Sequence, residues 1–216
     1  MQNIDININR LPSNIKSFVQ LIINTCKDYN VPLSMLKTDA VKCPPENIEC
    51  AGFFDSDPLH FAIACKGHYN IWLGTFVHES CHLDQWLEDS EFWTLPNFDG
   101  NPLVIFDKWI TNSLEISEET KKLIIDFLVN LELDCEQRTI TKIKKYNLPI
   151  NLSRYMQKSN AYVWSYRLIG ETRNWEYSSI YSVPKVWKSM PNHFDNDYTL
   201  LPNYIRESMM SWQVSY

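Results

Sequence analysis

The stretch IWLGTFVHESCHLDQWL, residues 71–87, is almost wholly apolar before His78 and polar and ionisable from there on. It holds no proline, and its two histidines, His78 and His82, recur four residues apart. On an α-helix, residues so spaced lie about 40° apart around the axis and one turn apart along it. The pattern therefore predicts a buried helix rather than a strand, with both imidazoles on one face. Three ionisable groups in an apolar helix are costly unless something pairs with them. A divalent metal ion does this, because two imidazole nitrogens one turn apart can converge on it at ~2.0–2.1 Å each. Glu79, about 100° further round than His78, is placed to take a proton from water at that ion. Hydrogen-bonded core histidines are the competing reading of the same residues.

The flanking sequence supplies a scaffold for this helix. Leu59–Cys65 reads as a short strand, set between the turn residues Asp57-Pro58 and Lys66-Gly67. Residues 14–29 place Ile15, Phe18, Leu21, Ile22 and Cys26 on one face, which predicts an amphipathic helix. Residues 38–57 read as a polar, proline-containing connection, and residues 88–112 as a long loop. A long helix then starts at Ser117, a plausible N-cap followed by Glu118 and Glu119, and stops at Asn147-Leu148-Pro149. Residues 153–169 and 203–213 read as two more helices, whereas 170–202 has no clean period. The expected fold is α+β: a small sheet with an edge strand packed on the His-Glu helix, then a mainly helical C-terminal lobe. One domain is expected over residues 1–216, with 1–112 holding strand and active-site helix and 113–216 forming the lobe.

A catalytic metal needs a third protein ligand and an open position for water. The remaining histidines, His60, His68 and His193, do not follow the motif at a ligand spacing. The helix from Ser117 offers Glu132, Asp134 and Glu136 instead. Its apolar stripe is Ile124, Phe127, Leu128, Leu131 and Cys135, and Glu132 falls at the stripe's edge beside Leu128 and Cys135. Glu136 follows one turn on, and Asp134 lies on the opposite edge. Glu132 therefore ranks first as ligand, with Glu136 orienting a ligand histidine through its free ring nitrogen. The two roles can also be reversed.

Taken together, His78-Glu79-Ser80-Cys81-His82 and Glu132-Leu133-Asp134-Cys135-Glu136 resemble the gluzincin branch of the zincin metallopeptidases, whose pattern is HExxH followed by a helix bearing ExxxD/E. The chain also looks like the compact metallopeptidase-like proteins of phages and bacteria. The resemblance covers about 25 residues clearly, and residues 55–145 in architecture. It implies Zn2+ as cofactor, His78, His82 and Glu132 as metal ligands, Glu136 as the acid behind them, and Glu79 as general base. It departs from the best-known members in having Glu136 where they carry Asp. The implied activity is hydrolysis of a peptide bond in a peptide or protein substrate. Two alternatives stand beside it: hydrolysis of another amide, such as a cell-wall amide, or a binding or regulatory protein that keeps the zincin scaffold without turnover. An intact Glu79 weighs against the last.

Such a peptidase also needs a donor for the developing oxyanion. Tyr162 is the first choice and His193 the second, with Tyr166 and Arg173 as further candidates. Trp72, Trp86, Trp93 and Trp109 are candidates for a substrate groove, with aromatic core as the blander reading. Asp84 and Gln85 follow His82 closely enough to be partners of a ligand, and Cys81 and Cys135 read as small buried packing residues.

Composition narrows the remaining classes. The net charge is −6, only five glycines are present, and no glycine-rich phosphate loop occurs. Nucleic acid is not expected as a partner, since phosphate binding needs a clustered basic surface. The N-terminal segment lacks an apolar signal core, and no run approaches ~18 apolar residues, so neither export nor a membrane span is expected. The six cysteines then read as reduced thiols, and a cytoplasmic setting follows. Cys43 and Cys50 do not have the spacing of a zinc knuckle.

Overall fold

In a computed structural model, which describes residues 2–44, 48–90, 93 and 98–212, the motif helix is anchored on a four-stranded sheet. The strands are β1 (Gln2–Ile4), β2 (Leu33–Leu36), β5 (Gly52–Ser56) and β6 (Leu59–Ala64), in the order β1-β2-β6-β5. β1, β2 and β6 run parallel, and β5 pairs antiparallel with β6 across the Asp57-Pro58 turn. The predicted strand is thus β6, and it is interior; the edge beside it is β5. Phe61, Ala62, Ile63, Ala64 and Cys65 are all buried, which explains why this strand reads as an unbroken apolar run rather than an alternation.

The segment read as a plain connection holds β5 and a small hairpin, β3 (Val41–Cys43) with β4 (Ile48–Cys50). These strands are three to five residues long and partly exposed, too short to display a period. Residues 45–47, within the same segment, lie outside the described residues.

The chain divides into two compact units, residues 1–90 with 137–150 and residues 91–136 with 151–216. In the first, α1 (Ser13–Asp28) and α2 (Tyr69–Leu87) join the sheet in one aromatic core. Phe76 of α2 is its hub. Its ring stacks on Phe61 at 5.6 Å and meets Phe18 of α1 edge-on at 5.9 Å and Trp72 edge-on at 6.2 Å. α2 also comes close to the edge strand at Gly52. A Cβ there would stand 2.5 Å from Ile63 Cδ1 and 3.0 Å from Thr75 Cγ2, so only glycine lets helix and strand approach this far.

The second unit is helical. It contains α3 (Pro102–Ile110), α5 (Leu152–Thr172), a 3₁₀ segment at Trp175–Ser182, α6 (Pro184–Trp187) and α7 (Asn203–Met210). α3 corrects the loop expected at 88–112, of which residues 91, 92 and 94–97 lie outside the described residues. Its start signals are local: Asn101 caps it by accepting from the Leu103 amide at 2.9 Å, and Pro102 opens it. Phe106 and Trp109 are its buried face. Within the unperiodic region 170–202, Asn160 of α5 does the organising. Its side-chain amide donates to the carbonyls of Pro191 and His193 at 2.9 and 2.8 Å, and its oxygen accepts from the Tyr198 hydroxyl. Tyr198 stacks on Trp164 at 4.4 Å, and burial pushes its phenol up to about 12. No local period encodes such an arrangement.

α4 (Glu118–Lys145) is one unbroken helix that contributes its first turns to the second unit and its last turns to the first. The structure is therefore mixed α+β, with small sheets and a helical C-terminal part. Among the described residues, no helix is long and apolar enough to cross a membrane.

Candidate metal site

The site begins on α2. His78 is half-buried, whereas Glu79 and His82 are buried, at 9% and 7% exposure. The His78 and His82 rings lie 4.9 Å apart between centroids and almost perpendicular, as one helical turn dictates. Nδ1 of His82 is 2.8 Å from the side-chain oxygen of Gln85, which is itself fully buried. A carbonyl oxygen can only accept, so Nδ1 carries the proton and Nε2 keeps its lone pair for a metal. Asp84, the other candidate partner, is instead ion-paired to Lys142 at 2.7 Å.

Among the described residues, side chains of the last turns of α4 reach α2 and its end. Thr139 donates its hydroxyl to Cys81 Sγ at 3.4 Å. Lys142 donates to the Ser80 carbonyl and hydroxyl at 2.9 Å each, besides its pair with Asp84. Arg138 pairs with Glu88 at 2.6 Å. Counting back from Thr139 by helical steps of four and three reaches Cys135 and Glu132, so these residues share one stripe of a continuous helix. Among the described residues, His78, His82, Glu132 and Cys135 bring one ligand atom each to within 4.8 Å of one another. This group could hold a metal ion.

Around Glu132 the donors come from α5. The hydroxyls of Tyr162 and Tyr166 donate to Glu132 Oε1 at 3.2 and 3.4 Å, and the two phenols lie 2.9 Å apart. Tyr162, expected as an oxyanion donor, thus directs its hydroxyl at the candidate ligand. Glu136 is buried and accepts from the Ser159 hydroxyl at 2.7 Å, and it stands outside the four-residue group.

The other expected residues are placed elsewhere. Arg173 binds the Trp109 carbonyl at 2.7 Å and Glu115 at 2.8 Å, and clamps the end of α5 to α3 and the loop behind it. His193 is exposed, His68 caps α2 by accepting from the Asn70 amide, and His60 bonds the Ser34 hydroxyl at 3.0 Å. Trp72 and Trp109 are core residues, and Trp86 packs against Phe54 at 6.0 Å. Trp93 packs partly buried against the core of the helical unit.

Cys135 is the member of the group that its sequence presented only as a packing residue. Its own helix shows it as one apolar position among others, and its sulfur is one of the four ligand atoms within 4.8 Å of one another. Of the two candidate partners named after His82, Gln85 is the one whose side chain meets its ring. All six cysteines are free thiols. Cys43 and Cys50 lie next to each other across the β3–β4 hairpin and share a hydrogen bond. That bond, then burial, then Asp55 and Glu79, push the Cys43 thiol up; the same bond lowers Cys50 against its own burial and Glu79.

Compared with protein-family models, with curated proteins and with solved structures, the chain matches none.

Proposed function

We propose that the chain is a zinc-dependent hydrolase of peptide bonds, with His78, His82 and Glu132 as metal ligands and Glu79 as general base. The observation that carries this reading is the gathering of two imidazoles, a buried carboxylate and a thiol within 4.8 Å. Nitrogen and sulfur donors suit zinc and its transition-metal neighbours, whereas calcium and magnesium prefer an all-oxygen shell. Bound zinc supplies Lewis-acid activation of water and of the substrate carbonyl.

The chain's own residues have distinct tasks. Gln85 fixes the His82 ring and its tautomer. Tyr162 and Tyr166 steady Glu132, which makes them positioning residues. Glu79, next in sequence to His78 and buried, takes the proton of the attacking water on its carboxylate and passes it to the leaving amine. Its low exposure favours proton exchange with substrate over exchange with bulk water. The same chemistry would serve a cell-wall or other amide, since pocket shape sets that choice.

A second reading, a metal-bearing protein without turnover, is favoured by one observation: Cys135 gives the group a fourth protein donor, as in structural zinc sites. Elemental analysis of the purified chain, followed by assay of Glu79→Gln on a peptide library, decides between them. The hydrolase reading expects about one zinc per chain, retained in Glu79→Gln while cleavage falls about 100-fold or more. Cleavage that persists in Glu79→Gln removes this base. Metal without any cleavage by the wild type leaves the second reading, and a chain that binds no metal ends both.

A further inference from the structure

We infer that Cys135 would supply a fourth protein donor to a metal held by His78, His82 and Glu132. The inference rests on the metal reading proposed above and concerns the same site. A three-ligand catalytic centre keeps its fourth position for water, whereas a thiolate here would fill it. Cys135 is fully buried and belongs to the four-residue group, three residues after Glu132 on the same stripe of α4. Four residues further on along the same helix, Thr139 donates its hydroxyl to Cys81 of α2. Glu132 and Cys135 are thereby presented together, as His78 and His82 are on α2.

Other buried cysteines offer a contrast. Burial alone pushes Cys26 and Cys65 up to about 12, as suits small apolar packing groups. Cys135 is set among two imidazoles and a carboxylate instead. Thiolate binds divalent transition metals strongly, and a buried one beside three other donors has every reason to join them.

Cobalt substitution tests this without an activity assay. The full-length chain is titrated with Co2+ and its absorption recorded in the visible, where four-coordinate cobalt absorbs intensely, and in the near ultraviolet, where sulfur-to-cobalt charge transfer falls. The wild type is expected to show both signals. Cys135→Ser should lose the charge-transfer band, keep bound cobalt and weaken its Kd by about 10-fold or more. Cys81→Ser should keep the band. Cobalt bound in a manner that needs His78 and His82, but with no charge-transfer band in the wild type, overturns the inference and leaves the metal reading intact. A band that survives in both Cys135→Ser and Cys135→Ala also overturns it. A wild type that binds no cobalt, or binds it equally well as His78→Ala/His82→Ala, defeats the metal reading itself. The wild-type spectrum needs no variant to fold, so it decides even if the substitutions disturb the core.

Discussion

His82 and Gln85 face each other one turn apart on α2, with the imidazole Nδ1 2.8 Å from the amide oxygen. With Nδ1 engaged in this bond, Nε2 is the ring nitrogen left for a ligand, and Gln85 is fully buried. A partner of this kind holds both the ring orientation and the basicity of a ligand. Gln85→Leu should therefore lower zinc affinity by about 10- to 100-fold while leaving the helix intact. Chelator competition on the purified variant measures this, and an unchanged affinity would show that the ring needs no such support.

Tyr162 and Tyr166 donate to the same oxygen of Glu132. If they position that carboxylate, Tyr162→Phe should weaken metal binding by several-fold, and Tyr162→Phe/Tyr166→Phe by more. A role in oxyanion stabilisation alone would lower the rate of hydrolysis without touching zinc affinity, so measuring both separates the two.

Lys142 ties the end of α4 to α2 through three acceptors, with a side chain only 13% exposed. Lys142→Met should cost about 2 kcal/mol in urea unfolding, because hydrogen bonds to a charged group are lost and the Asp84 carboxylate loses its cation. Lys142→Arg should recover part of this. Equal stability of all three proteins would show that the tie is a surface pair of little consequence.

At Gly52 of β5 an added Cβ would stand 3.0 Å from Thr75 of α2. Gly52→Ala should destabilise by about 1–3 kcal/mol, since the added methyl meets Ile63, the Ala62 carbonyl and Thr75 at once. Thermal unfolding of the variant against wild type provides the measurement.

Asp126 pairs with Arg167 and with Lys122, the latter at 2.9 Å. Burial pushes its carboxyl up, but the hydrogen bonds and charges of these two cations outweigh it, and the net shift is downward. A carboxyl depressed in the folded state stabilises at pH values above its unfolded range and loses that contribution as acid protonates it in the fold. Asp126→Asn should therefore cost about 2 kcal/mol at pH 7. The difference from wild type should shrink as pH falls below about 4. A gap that stays constant through that window would assign the effect to packing instead.

Local signals carried the long helices and the heart of the site. Apolar stripes at helical spacing marked α1 and α4, and the four-residue recurrence of His78 and His82 in a proline-free apolar run marked α2, because a helix of several turns repeats its pattern within its own sequence. The pairing of His78 with His82 followed from the same geometry. Other features needed the folded chain. β1 to β4 are three or four residues each, below the length at which a two-residue period is visible, and they exist because neighbours satisfy their hydrogen bonds. Which face of β6 is buried could not be read, since both are. The segment 170–202 takes its course from Asn160, which lies outside it in sequence. Most telling is Cys135: its own helix presents it as one more apolar packing residue, and its sulfur becomes a candidate ligand only beside the histidines of another helix. Spacing within one element is determined by bond geometry and so is written locally. Proximity between elements is determined by the packing of whole surfaces, which no short stretch of sequence contains.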